Sequence, residues 1–99
     1  MANGREGVIV PLTRREAAQR LSRIEGQIKG IKKMVEEGRY CVEVLGQISA
    51  VQEALRGVGK LITRNYMENC VTSSLRSGSR KKAKETYAEL MDVIYKFAK

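Results

Sequence analysis

Histidine and tryptophan are absent from this sequence of 99 residues, and proline and phenylalanine occur once each. Without histidine, the chain cannot form a histidine metal site or a Ser-His or Cys-His catalytic pair of its own. No run approaches the roughly 20 apolar residues that cross a bilayer, and the N-terminus lacks the long apolar segment of a signal peptide. We therefore expect a cytoplasmic protein that makes no membrane span and is not an enzyme.

Cysteine is scarce as well, since the chain has only Cys41 and Cys70. Structural disulfides are rare in a reducing cytoplasm, so the two residues are interpreted as buried packing residues, metal ligands or redox-active thiols. The sequence contains no glycine-rich phosphate loop and no cofactor motif, and we expect no cofactor.

Positive charge is abundant by comparison. The 19 Lys and Arg residues outnumber 11 Asp and Glu, which gives a formal charge of +8 and an isoelectric point near 9.8. Such a balance favours a polyanionic partner, either nucleic acid or an anionic membrane surface. A merely soluble basic surface is the alternative.

Apolar periodicity predicts three helices and no strand. Residues 1–12 are predicted to be a flexible tail and residues 13–99 a single domain, because Thr13 and Glu16 have capping-box spacing. The first helix ends at Gly38, and its apolar residues alternate four and three apart: Ala17, Leu21, Ile24, Ile28, Ile31 and Val35.

The second predicted helix runs from about 42 to 74 and the third from about 80 to 98, separated by Ser77-Gly78-Ser79. Interior glycines predict that the second helix is held by packing or bends near residues 56–60. Its apolar series is Val44, Ile48, Val51, Leu55, Val58 and Ile62, and that of the third is Ala83, Tyr87, Leu90, Met91, Ile94 and Phe97.

These seams predict an all-α subunit, a three-helix antiparallel bundle completed by a second chain, because the longest helix has no equal partner in its own subunit. A split second helix in a monomeric bundle is the alternative. On one straight helix Cys41 and Cys70 would lie about 43 Å apart, too far to meet. An antiparallel two-fold pairing would instead bring Cys41 of one chain to Cys70 of the other, unless both cysteines are simply core.

Several segments share their pattern with known sequences: the stretch from Arg20 to Ile31, RLSRIEGQIKGI, then Tyr40-Cys41, Val44-Leu45, the stretch QISAV at 47–51, and Cys70-Val71. Together they resemble the copper-sensing operon repressor (CsoR) family. The resemblance implies a homodimer and a dimer of dimers that represses transcription at operator double-stranded DNA until an inducer relieves it.

The same resemblance implies roles for individual residues. Copper-sensing members combine cysteines matching Cys41 and Cys70 with a histidine, where this chain has Tyr66, and Tyr40 matches a tyrosine beside the site. A neutral phenol is a poor ligand for a soft metal, although two thiolates can bind one linearly. The sequence therefore looks closest to the persulfide-sensing, CstR-like branch, which retains the two cysteines without the histidine. We expect Cys41 and Cys70 to sense a persulfide or sulfane-sulfur inducer, with no metal site.

Two basic stripes are candidates for binding DNA. The first helix carries Arg15, Arg20, Arg23, Lys29 and Lys33 away from or at the edge of its apolar seam, and the second carries Arg56, Lys60 and Arg64. A solvated face is the bland interpretation of both stripes. The alternatives for function are a Cu(I)-responsive repressor using two thiolates, a sulfur-transfer protein, or an architectural DNA-binding protein without a switch.

Overall fold

The computed structural model describes residues 8–97, and the side chain of Phe97 lies outside the described part. The prediction of an all-α chain is confirmed, since this range contains three helical stretches and no strand. The helices are α1 (Pro11–Glu36), α2 (Cys41–Asn65), α3 (Thr72–Arg76) and α4 (Arg80–Phe97), and a π-helical turn, Tyr66–Val71, joins α2 to α3.

Helix α1 begins two residues earlier than predicted. Pro11 occupies its first position, where the missing N–H costs nothing and the fixed φ suits a helix. The helix ends as predicted at Gly38, which has a φ of +70°. The N–H of Gly38 donates to Val35 at 3.1 Å and that of Arg39 to Met34 at 3.0 Å, the Schellman pattern that only a left-handed residue completes without strain.

The second helical stretch continues from 41 to 76, and residues 56–60, where a bend was one of two alternatives, are α-helical without a break. The irregularity lies further along, at the π-helical turn. There the side chain of Asn69 donates to the backbone oxygen of Asn65 at 3.0 Å, and Thr72 donates to that of Met67 at 3.0 Å. Two carbonyls, one just before the turn and one within it, therefore accept side-chain hydrogen bonds where the π-helix rearranges the backbone hydrogen bonding.

The turn between α3 and α4 lies at Ser77-Gly78-Ser79, where the sequence predicts it. Gly78 has a φ of +77°, and the hydroxyl of Ser79 accepts the N–H of Lys82 at 3.1 Å. Ser79 is therefore the N-cap of α4. Within this part of the chain, α4 packs on the π-helical turn and on α3.

The described residues divide into two compact units, residues 11–61 and residues 62–97 with the leader residues 8–10. In α1 and α2 the apolar seams are only half covered. Ala17, Ile24, Val51 and Val58 are buried. The alternate members of the same seams are exposed: Leu21, Ile28, Val35, Ile48 and Leu55.

The inner face predicted for α4 is partly wrong. Ala83, Leu90 and Met91 are half-buried as expected, whereas Tyr87 is 65% exposed and Ile94 is 48% exposed. Thr86 and Val93 are half-buried in their place, and the hydroxyl of Thr86 lies 2.6 Å from that of Ser74 in α3. The predicted inner position of Phe97 lies outside the described side chains.

The predicted tail also differs where the structure describes it. Pro11 and Leu12 belong to α1, and Val8–Val10 is hydrogen-bonded to the side chain of Asn65. Residues 1–7 lie outside the described range. Among residues 8–97, no helix is long and apolar enough to cross a membrane.

Candidate functional site

Cys41 is the first residue of α2, and its side chain is exposed. The carbonyl of Tyr40 accepts the N–H groups of Glu43 at 3.0 Å and Val44 at 3.2 Å, so the first turn of α2 closes directly after Tyr40. The Tyr40 ring, predicted to flank the site, is itself 69% exposed. The N-terminus of α2 thus presents a sulfur and an aromatic ring at the surface.

An apolar depression of about 330 Å³ surrounds this sulfur. It is lined by Val35, Arg39, Cys41, Val44 and Leu45. The one charged side chain, Arg39, pairs with Glu43 at 2.9 Å. Because Val35 and Leu45 are also largely exposed, Cys41 lies in an apolar surface without a cover in the described chain.

Cys70 has the opposite environment. It lies in the π-helical turn and is 7% exposed, and its sequence neighbours Asn65, Val71 and Ser74 are buried as well. Cys41 and Cys70 belong to different units of the described chain, so their predicted pairing between two subunits stays a prediction. No group of three or more histidine, cysteine, aspartate or glutamate residues able to hold a metal occurs within residues 8–97.

Tyr66, one turn before Cys70, is held by a carboxylate of α4. Its hydroxyl donates to an Oε1 of Glu89 at 2.6 Å. Burial, the hydrogen bond to Glu89 and the negative charges of Glu89 and Cys70 all raise the pKa of Tyr66 above its ordinary value. The phenol therefore stays neutral and serves as a hydrogen-bond donor.

A second polar contact joins α3 to α4 close by. The hydroxyls of Ser74 and Thr86 are 2.6 Å apart, and Ser74 also donates to the backbone oxygen of Lys82 at 3.1 Å. The sequence does not predict Glu89, Ser74 or Asn65 as neighbours of the site. Helix α4 has several carboxylates, and nothing in the sequence indicates that Glu89 is the one that contacts Tyr66, 23 residues away.

The predicted basic residues of α1 converge on a groove. Arg15, Arg20 and Arg23 line a cavity of about 770 Å³ together with residues of α2. Arg20 pairs with Glu16 at 2.7 Å and is half-buried, and its Nη1 lies 3.5 Å from where a Cβ on Gly57 would stand. Arg15 and Arg23 are exposed, so this end of α1 presents cations beside a concave surface.

The other predicted DNA-binding residues are all exposed: Lys29, Lys33, Arg56, Lys60 and Arg64. Two of them face carboxylates, since Lys33 lies 4.0 Å from Glu37 and Arg56 lies 2.6 Å from Glu53. Arg64 belongs to the other unit from Arg56 and Lys60, so only two members of that stripe are described together. Exposed pairs of this kind contribute little to stability and leave the cations available to a polyanion.

The matches to known proteins cover the segments that contain these residues. Residues 13–96 match the model of a family described as metal-sensitive transcriptional repressors. The copper-sensing transcriptional repressor CsoR of Bacillus subtilis is 44% identical over 84 residues, covering 85% of this chain and 80% of that protein. The copper-sensing transcriptional repressor RicR of Mycobacterium tuberculosis is 48% identical over 61 residues, which is 62% of this chain and 64% of RicR.

Two solved structures share the fold. The copper-sensing repressor CsoR with Cu(I) from Geobacillus thermodenitrificans superposes with a TM-score of 0.81 at 43% identity, over 91% of each chain. The nickel-responsive transcriptional regulator InrS superposes with a TM-score of 0.71 at 41% identity, over 84% of this chain and 90% of InrS. One fold therefore serves proteins named for different inducers.

Proposed function

The chain belongs to the family of metal-sensitive transcriptional repressors, and on that premise we propose that it binds operator DNA as a homo-oligomer and is released by an inducer at Cys41 and Cys70. It is not an enzyme but a repressor. The observation that carries the inducer site is the exposed sulfur of Cys41 in an uncovered apolar depression. We infer that it acts in the cytoplasm.

The half-covered seams support the oligomer. In α1 and α2, residues seven apart are buried while the seam residues between them, Leu21 and Leu55, are exposed. Exposed apolar rows of this length are typical of surfaces that another helix covers. A second copy, docked antiparallel, would cover them and place Cys70 of one chain at Cys41 of the other, in a dimer from which a dimer of dimers is built.

The basic groove supports DNA as the partner. Arg15, Arg20 and Arg23 provide neighbouring cations at its wall, and the chain carries a formal +8. Contacts of arginine with phosphate supply affinity that falls steeply with salt, whatever the sequence of the duplex. Double-stranded operator DNA is therefore the partner that this surface fits best.

Cu(I) is the inducer that the comparisons favour, because the relatives at 44% and 48% identity are named copper-sensing. The donor set fits this ion in part. Thiolates are the soft ligands that Cu(I) prefers, and two can bind it linearly. Tyr66 is no third ligand, since its neutral phenol donates to Glu89. Cys41 and Cys70 would hold the ion between two subunits.

A persulfide remains a second candidate, favoured by the same contact of Tyr66 with Glu89, which leaves two thiols and no further metal donor. In this reaction the Cys41 thiolate attacks the terminal sulfur of an organic persulfide RSSH, and the thiol RSH leaves. The Cys70 thiolate of the neighbouring subunit then attacks the Cys41 sulfur and expels hydrosulfide, forming a disulfide that links the subunits. The two electrons reduce the persulfide to thiol and hydrosulfide.

One experiment separates these inducers. A duplex selected from a random-sequence library is bound to the reduced protein without oxygen, then titrated with Cu(I) in one arm and with an organic persulfide in the other. Release at one Cu(I) per Cys41–Cys70 pair, reversed by a chelator, supports copper. Release with a covalent dimer in the mass spectrum supports the persulfide. If neither compound releases the parent protein from DNA, the proposed site is contradicted. It is also contradicted if both compounds release a Cys41→Ala, Cys70→Ala double variant.

A further inference from the structure

The residues just before α1 are tied to the end of α2 by one buried amide. Asn65 is 4% exposed, and its Oδ1 accepts the N–H of Val10 at 3.0 Å while its Nδ2 donates to the carbonyl of Val8 at 3.3 Å. A single side chain thereby satisfies one N–H and one carbonyl of the segment before α1. We call residues 8–10 the leader strap.

The position of Asn65 connects this contact with the surroundings of Cys70. It is the residue directly before the π-helical turn, and its backbone oxygen accepts the side chain of Asn69 at 3.0 Å. In a π-helix each carbonyl faces the N–H five residues on, and Asn65, the residue before the turn, is followed at that spacing by Cys70. Both residues are buried, as is Ser74 four positions further on.

We propose that Asn65 is a positioning residue for Cys70: by clamping the leader strap against the start of the π-helical turn, it keeps the Cys70 thiol covered and sets how readily that thiol reacts. This rests on the proposed function, in which Cys70 takes part in the inducer site. Release of the strap opens the turn from its N-terminal side. Widened helical turns of this kind often lie at functional sites, where a change of register moves a side chain.

The expected effect follows from the two hydrogen bonds. Each bond of a neutral amide contributes modestly to the closed state, and the loss of both favours local opening of the strap by about tenfold. Alkylation of a buried thiol proceeds through such openings, so its rate rises by the same factor. Global unfolding need not change to that extent, because the openings are local.

The test measures alkylation of Cys70 by N-ethylmaleimide in the full-length reduced protein, with Cys41→Ala introduced so that only one thiol reacts. Asn65→Ala is expected to raise the rate about tenfold. Thr72→Ala is the matched control, since it removes another side-chain hydrogen bond of the π-helical turn, the one to Met67, without touching Asn65 or the strap. Its rate should stay within about twofold. An unchanged rate in Asn65→Ala, or an equal increase in both variants, overturns the proposal.

Asn65→Leu keeps the test decisive if Asn65→Ala does not fold. Its side chain has a similar size and fills the buried space, but it neither accepts the N–H of Val10 nor donates to Val8, so the rate should rise about tenfold as in Asn65→Ala. Hydrogen exchange at the Val10 amide provides an independent measurement and should accelerate in Asn65→Ala alone among the alanine variants. A Val10 amide protected equally in Asn65→Ala and Thr72→Ala contradicts the clamp.

The outcome is separable from that of the proposed function. The alkylation rate needs neither DNA nor inducer, so a protein that ignores both Cu(I) and persulfide still tests the clamp. If the persulfide releases the parent protein from DNA, it should release Asn65→Ala at a higher rate. If the inducer releases Asn65→Ala normally and its alkylation rate is unchanged, the proposed function stands and the proposed role of Asn65 is refuted.

Discussion

Replacing Tyr66 by histidine should give the chain a third ligand for Cu(I). The residue lies one turn before Cys70, and its hydroxyl reaches Glu89 at 2.6 Å. An imidazole at this position has one nitrogen for the metal and one N–H for Glu89. Carboxylates that accept the second N–H of a metal-bound histidine fix the ring and raise its basicity. Glu89 therefore stands where such an acceptor is needed.

The gain can be bounded from these contacts. Going from two thiolates to two thiolates and an imidazole should tighten Cu(I) binding by at least about tenfold, equivalent to about 1.4 kcal/mol. Partners of metal-bound histidines are typically worth about 10- to 100-fold in affinity. Tyr66→His with Glu89→Gln should therefore lose most of the gain. Tyr66→Phe is the control, since it removes the hydroxyl and adds no ligand.

The assay is anaerobic competition for Cu(I) against a chelator of known affinity, run beside a DNA titration of the same samples. Release from DNA need not improve in proportion, because the metal must also move the helices. If the parent protein binds Cu(I) as tightly as Tyr66→His, then two thiolates suffice and the reasoning about the missing histidine fails. Equal gains in Tyr66→His and Tyr66→Phe would show that loss of the phenol, and not the imidazole, is responsible.

Three further predictions follow from the same structure. Cys41→Ala and Cys70→Ala should each retain helicity and DNA binding but form no cross-linked dimer with an organic persulfide, as seen on a non-reducing gel; a dimer in either single variant would contradict the pairing. Arg23→Glu should weaken operator binding at least about tenfold and flatten its salt dependence, because an exposed cation beside the groove is reversed; unchanged affinity in a mobility-shift titration would place the DNA surface elsewhere. Gly46→Ala should raise the free energy of unfolding by about 0.5–1 kcal/mol, since nothing lies within 4 Å of the added Cβ, whereas Gly38→Ala should lower it by about 1 kcal/mol because of its positive φ; chemical denaturation that ranks these two glycines in the opposite order would refute this account.

Helix positions were predictable because their signals are local. The four-and-three alternation from Ala17 to Val35 predicts α1, and Gly38 ends it because only a residue without a Cβ adopts that φ easily. The start of α1 was predicted less well. Thr13 and Glu16 have capping-box spacing, but Pro11 begins the helix instead.

Single residues of the candidate site were predictable for another reason. Cys41, Cys70 and Tyr66 stand out because the segments around them resemble a repressor family, whose membership residues 13–96 confirm. The inducer was not settled in this way. The persulfide was inferred from Tyr66 in place of a histidine, whereas the relatives compared are named for copper and nickel.

What the sequence by itself determined is the helical content, the positions of the turns and the identity of the two thiols, since each depends on residues within a few positions of one another. Only the tertiary structure decided which polar groups meet. Tyr66 finds Glu89 across 23 residues, and Asn65 finds Val10 across 55. Periodicity specifies which face of a helix is apolar, but not the height at which another segment crosses it. That height depends on packing of the whole chain, and it determines the surroundings of Cys70.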